Sequence, residues 1–186
     1  WNLYSTMCNY KLAEPYYKQA LEIRKKVLGE DHPDYASSLT DLGNLYFDMG
    51  ENKPAAEPYY LRVLEINEKN FGKDHPDYAS SLNNLGILYW DLGDYKAAVP
   101  YLKQTLEIRK KALGVENLEY ASSLDNLGLL YLAMGDYKVA EPYYKKAIEI
   151  RKKALGEDHP DYATSLNNLG ILYYELADYK SAELNY

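Results

Sequence analysis

The chain is poor in the residues that usually carry chemistry. It has one cysteine in 186 residues, Cys8. An internal disulfide is excluded, nothing in the fold depends on an oxidising compartment, and a cytoplasmic setting is the expectation. Basic residues number 21 against 28 acidic ones, giving a formal charge of −7 and a pI near 5.0. That balance removes the long-range attraction a nucleic acid or an anionic membrane would need, so neither is expected as a partner. No run approaches ~18 consecutive apolar residues, and no cleavable signal opens the chain. Glycine-rich phosphate loops and Gly-x-Ser-x-Gly elbows are missing as well. The first residue is Trp1, not methionine, and the expectation is a piece of something longer.

What is present is apolar and patterned. Hydrophobic residues make up 47% and charged residues 26%, with 22 tyrosines among them. This is enough apolar material for a folded, soluble protein. The string Asp-His-Pro-Asp-Tyr-Ala recurs at Asp31 to Ala36, Asp74 to Ala79 and Asp158 to Ala163, and Glu116 to Ala121 fills the same place in altered form. The steps are 43, 42 and 42 residues, and the extra residue lies between Gly50 and Pro58, at a turn. Leu-Gly followed three residues later by tyrosine keeps the same register at Leu42, Leu85, Leu127 and Leu169. A fixed period of this size marks a repeat architecture.

Each unit reads as two amphipathic helices joined by a tight turn such as Gly93-Asp94-Tyr95. His75 is the expected cap of the first helix, with Pro76 at its first position, where a missing N–H does no harm. The second helix, Tyr95 to Leu113, is expected to bury Ala98, Leu102, Leu106, Ala112 and Leu113. A helix pair cannot cover its own apolar faces, so successive pairs must stack into an all-α, right-handed α-solenoid. The units are partial over 1–33, complete over 34–75, 76–117 and 118–159, and partial over 160–186. Tyr46, Tyr89, Tyr131 and Tyr173, or Tyr35, Tyr78, Tyr120 and Tyr162, fall in recurring slots and are chiefly packing residues. Trp1 to Met7 matches the tail of a first helix, Cys8 falls where Gly93 and Gly135 end theirs, and Tyr179 to Tyr186 matches the start of a second. Uncapped ends of this kind are expected to be sticky and to allow end-to-end self-association.

Leu-Gly-x-x-Tyr, the Gly-Asp-Tyr-Lys turn and the alanines at Ala98 and Ala140 resemble the tetratricopeptide repeat. The longer period, with Glu149 to Asp161 and Leu-Asn-Asn-Leu at Leu82 and Leu166, is similar to the 42-residue subclass of kinesin light chains. The resemblance implies a superhelix whose first helices line a concave groove, and a non-catalytic scaffold that holds a peptide or protein partner there. It leaves open a regulatory arm of a larger enzyme or signalling ATPase, and a module that assembles through its ends.

At 100° per residue, Ala79, Leu82, Leu85, Gly86 and Tyr89 share the packed arc. The opposite arc carries Ser80, Asn83, Asn84, Ile87, Trp90 and Asp91. Matching positions are Thr40, Asp41, Asn44, Phe47 and Asp48; then Asp125, Asn126, Leu129, Leu132 and Ala133; then Asn167, Asn168, Ile171, Tyr174 and Glu175. A solvated face has no reason to repeat such apolar pairs, so these are candidate groove residues; the alternative is contact with the neighbouring first helix. The matching asparagines of kinesin light chains contact peptide, which implies that role for Asn84, Asn126 and Asn168; Asp41 departs from it. The alternative is an asparagine bonded within its own array.

Every lysine and arginine lies outside the four first helices, while Asp41, Asp48, Asp91, Asp125 and Glu175 sit on the presumed groove face. An apolar and acidic groove is expected to take a neutral or basic segment with apolar anchors, with Phe47, Trp90 and Tyr174 able to accept a cation. Such a groove lacks the cations of a carboxylate clamp. The runs at Arg24, Arg109 and Arg151 read as a solvated face with Glu-to-Lys pairs four apart, from Glu22 to Lys26 and from Glu65, Glu107 and Glu149 to Lys69, Lys111 and Lys153. His32, His75 and His159 are one repeat apart, too far for shared ligation. No metal, cofactor or catalytic residue is expected.

Overall fold

The computed structural model describes residues 3–50 and 53–183, with side chains for 9–50 and 53–176. Among these residues there are eight helices and no strand. They form two compact units divided after Asp94. The first holds α1 (Leu3–Leu28), α2 (Pro33–Asp48), a 3₁₀ turn (Lys53–Ala56), α3 (Glu57–Phe71) and α4 (Pro76–Asp91); the second holds α5 (Tyr95–Leu113), α6 (Leu118–Ala133), α7 (Tyr137–Leu155) and α8 (Pro160–Glu183). Within each unit, short connections make consecutive helices antiparallel neighbours.

The starts of the first helices follow from local chemistry. His32, His75 and His159 each accept, on Nδ1, the backbone N–H two residues on, at 3.1, 3.2 and 3.1 Å. Asn117 does the same with Oδ1 at 2.7 Å where histidine is replaced. The histidines are therefore caps. Gly93 and Gly135 end α4 and α6 with φ of 80° and 78°, a conformation that costs a residue with a Cβ about 1 kcal/mol or more. Cys8 and Ala177 stand in equivalent places, and there the helix does not break: α1 runs from Leu3 through Cys8, and α8 runs through Ala177 to Glu183. The turns expected at both points are absent because no glycine is there to take the left-handed conformation. The packing expected of Trp1 to Met7 and of Tyr179 to Tyr186 lies outside the described side chains.

Leu42 and Ile66 in the first unit, and Leu127 and Leu130 in the second, are fully buried, each worth about 1.5–3 kcal/mol. Two glycines set how closely the helices approach. A Cβ on Gly43 would stand 2.5 Å from the Tyr60 ring, and one on Gly128 would stand 2.6 Å from the Tyr144 ring. On α5, Ala98, Leu102 and Leu106 are buried as expected, but Ala112 is exposed and Leu113 only half-buried; Thr105, Ile108 and Arg109 are buried in the middle of the helix. The inward arc drifts at the C-terminal end of the helix. Tyr46, Tyr78 and Tyr131 are packed, whereas Tyr173 is 45% exposed.

The basic runs divide in two. Their lysines are exposed, but Arg109 and Arg151 are buried, so the arginines face inward and the solvated-face expectation fails for them. Two of the lysines do not follow the expected pairs: Lys69 reaches Asp31 and Lys153 reaches Glu116, each on the preceding repeat's loop, while Glu65 pairs with Arg62 and Glu149 with Lys146.

Candidate functional site

In the first unit the exposed arcs of α2 and α4 face a common cleft of about 330 Å³, lined by Asn44, Phe47, Asp48, Tyr60, Asn84 and Ile87. Phe47, Asn84 and Ile87 are half-buried, and Asn44 and Asp48 are exposed. Tyr60 rises from α3 to form the floor. Burial pushes its phenol up to about 12, so it remains a neutral donor, and it gives its proton to Asn44 Oδ1 at 2.7 Å. Asn44 is thus tied within the array on its oxygen. Trp90 and Asn83 lie half-buried on the same arc of α4, and Asp91 is exposed at its end.

A cation stands on this face that the sequence did not place there. Lys53, in the 3₁₀ turn that follows Gly50, pairs with Asp91 and holds its Nζ 5.4 Å from the centre of the Phe47 ring. It pairs one acid at the end of α4 and occupies the aromatic face expected to receive a ligand's cation. Asp41 and Asp48 remain exposed and line a further cleft of about 310 Å³ against Tyr10, Ala13 and Tyr17 of α1.

In the second unit Asn126, Leu129 and Leu132 are half-buried on α6. On α8, Asn168 is half-buried, and Asn167, Ile171, Tyr174 and Glu175 are exposed, Tyr174 by 66%. Asp125 is not on this surface. It is buried and bonded to Arg151 from α7, with Ser165 Oγ donating to the same carboxylate oxygen at 3.1 Å. Burial raises its pKa, against the hydrogen bond and charge of Arg151 and the Ser165 hydroxyl, which lower it. The expectation failed because a helical wheel cannot show an arginine arriving from 26 residues away. The second unit therefore presents fewer acids than its first-helix sequence suggests. A phenol is orphaned there too: Tyr144 Oη is buried without a protein partner.

The tetratricopeptide repeat profile matches residues 2–59, 54–111, 93–153 and 119–186, which is nearly every residue. The chain belongs to the tetratricopeptide repeat family. Its repeats are similar to those of kinesin light chain-like structures. BtubC (BKLC) from P. vanneervenii has 27% identity and a TM-score of 0.79, over 95% of this chain and 70% of that one. A putative kinesin light chain of Podosopora anserina with nearly identical TPR-like repeats has 24% identity and a TM-score of 0.76, over 97% and 85%; a crystal structure of the same protein with one glutamine replaced by methionine gives 0.78 over 97% and 84%. No curated protein matches in sequence. The tetratricopeptide repeat is an interaction scaffold, and the all-α solenoid class read from the repeat period is the one these neighbours share. Among the described residues no cluster of histidine, cysteine, aspartate or glutamate could hold a metal, and no helix is long and apolar enough to cross a membrane.

Proposed function

We propose that the chain holds a peptide or protein segment along the exposed face of its first helices, and that it works by binding without catalysis. The observation that supports this most is the cleft in which Phe47 and Ile87 stand half-buried beside Asn44 and Asn84. Apolar side chains there are open to a visitor, and amides at the rim can meet an extended backbone. Leu129 and Leu132, then Ile171 and Tyr174, repeat the arrangement in the second unit. Asp41 and Asp48 carry no basic neighbour from their own helix, so the favoured segment is neutral or basic with apolar anchors.

The test is fluorescence anisotropy with acidic, neutral and basic peptides of matched apolar content, across a salt series. Basic peptides should bind best, and more weakly as salt rises. Tightening of acidic peptides at low salt contradicts the charge assignment. Equal binding to native protein and a Trp90→Ala/Asn126→Ala variant removes the groove.

A second reading has its own observation. Leu12, Tyr16, Ile23 and Val27 are 54 to 72% exposed along α1, a stripe that fits self-association through this face of the helix. Light scattering across a concentration series separates the two: the mass of a single chain at every concentration excludes it.

A further inference from the structure

Three of the four second helices carry arginine at one position: Arg24, Arg109 and Arg151. The same position in α3 is Asn67. All four side chains reach one acceptor, the serine of the following first helix. Arg24 Nη1 meets Ser38 Oγ at 2.6 Å, Arg109 Nη1 meets Ser123 Oγ at 3.0 Å, Arg151 Nη1 bonds Ser165 Oγ, and Asn67 Nδ2 meets Ser81 Oγ at 2.8 Å. Asparagine makes this bond with a much shorter side chain. Beside it lies a pocket of about 250 Å³ between α2, α3 and α4.

The second unit shows what fits that space. The Arg151 guanidinium is held by Ser122, Asp125 and Ser165. By the repeat register these correspond to Ser37, Thr40 and Ser81, and all three line the pocket beside Asn67. The pocket therefore matches the arginine socket of the second unit without its arginine and with Thr40 in place of the Asp125 carboxylate. Two further residues suit it to a planar cation. Phe71 replaces the leucine found at Leu28, Leu113 and Leu155, and its ring forms a wall, fixed by stacking on His75 with centroids 4.7 Å apart. Asp77 also lines the pocket and is the counterpart of Glu119, whose carboxylate lies 3.5 Å from Arg109 Nε.

We infer that this pocket receives the arginine side chain of a bound segment, and that Asn67 and Phe71 are the residues that make the first unit specific for it. The guanidinium lies against Phe71, directs its fork at Ser37 and Thr40, and is balanced by Asp77. Lysine cannot present two parallel donors in this way, and citrulline has the shape without the charge. The inference rests on the groove reading, because Asn84 lines both this pocket and the Phe47/Ile87 cleft.

The experiment is an NMR titration of the whole chain with Nα-acetyl-arginine methylamide and its lysine and citrulline counterparts, following the side-chain amides of Asn67 and Asn84. The arginine probe should shift both resonances saturably and bind about tenfold more tightly than either counterpart. Asn67→Arg places the residue of the other repeats in the pocket and should abolish the shifts at Asn84 while leaving the thermal midpoint unchanged or higher. Phe71→Leu should weaken binding several-fold in a folded protein. Absent shifts, equal affinity for the three probes, or an unchanged response in Asn67→Arg overturns the inference. Peptides that lose affinity in Trp90→Ala yet show no arginine preference and no response to Asn67→Arg overturn it alone and leave the groove reading standing.

Discussion

Tyr60 donates its phenolic proton to Asn44 Oδ1 at 2.7 Å, whereas Tyr144, its counterpart in the second unit, is buried with no protein partner because Leu129 stands where Asn44 stands. The same ring serves two repeats under different polar accounting. Tyr60→Phe should lower stability by about 1 kcal/mol, the net worth of a hydrogen bond, and Tyr144→Phe should be neutral or stabilising, since it removes an unsatisfied hydroxyl. Thermal melts of the two variants check this; equal losses would contradict it.

The glycines facing those rings set a second expectation. Gly43→Ala and Gly128→Ala each gain about 1 kcal/mol of helix propensity, but the new methyl would stand 2.5 and 2.6 Å from a buried tyrosine ring. Overpacking costs about 1–3 kcal/mol, so a net loss of about 1 kcal/mol or more is expected, read as a lower melting midpoint. Gly43→Ala combined with Tyr60→Leu should recover part of it.

The Asp125–Arg151 pair gives a pH dependence with a definite sign. Burial raises the Asp125 carboxyl in the folded state, so its contribution to stability is fully present below the unfolded value of about 4 and is lost as pH rises through the folded one. Arg151→Met removes the main opposing influence and leaves a buried carboxylate unpaired, a loss of about 3–5 kcal/mol at neutral pH. Its melting deficit should therefore be larger at pH 8 than at pH 5. Asp125→Asn/Arg151→Met should recover stability at pH 8 and flatten the profile. Equal deficits at the two pH values would show that the pair does not control it.

Lys53 screens the groove from the kind of ligand proposed for it. Lys53→Ala releases Asp91 and the face of Phe47, and should strengthen binding of a basic peptide several-fold and steepen its salt dependence. Anisotropy titrations at two salt concentrations measure both quantities. Weaker binding would mean that Lys53 contacts the ligand itself.

The architecture was legible because it rests on local signals that recur. His75 and Pro76 start α4 where the sequence puts them, Gly93 and Gly135 end α4 and α6, and Leu82 and Leu85 are buried. The runs through Cys8 and Ala177 were legible in principle, as a missing glycine. The errors came from side chains that act across tens of residues. Arg151 draws Asp125 into the core, Lys69 and Lys153 pair with the preceding loops, and Lys53 arrives on the exposed face of α4 from the turn after Gly50. A helical wheel sorts a face by its own helix and carries no information about a neighbour's long cation.

The most direct test of the central claim is the affinity of a basic peptide with apolar anchors for the native chain, against variants Ile87→Ala and Trp90→Ala. Both side chains are half-buried and off the packed arc, so the helical signal and melting midpoint should be nearly unchanged while binding weakens by about tenfold or more, the loss of a hot-spot contact. Unchanged affinity in both variants, or a collapse of helicity in either, would contradict a groove that presents these side chains to a partner.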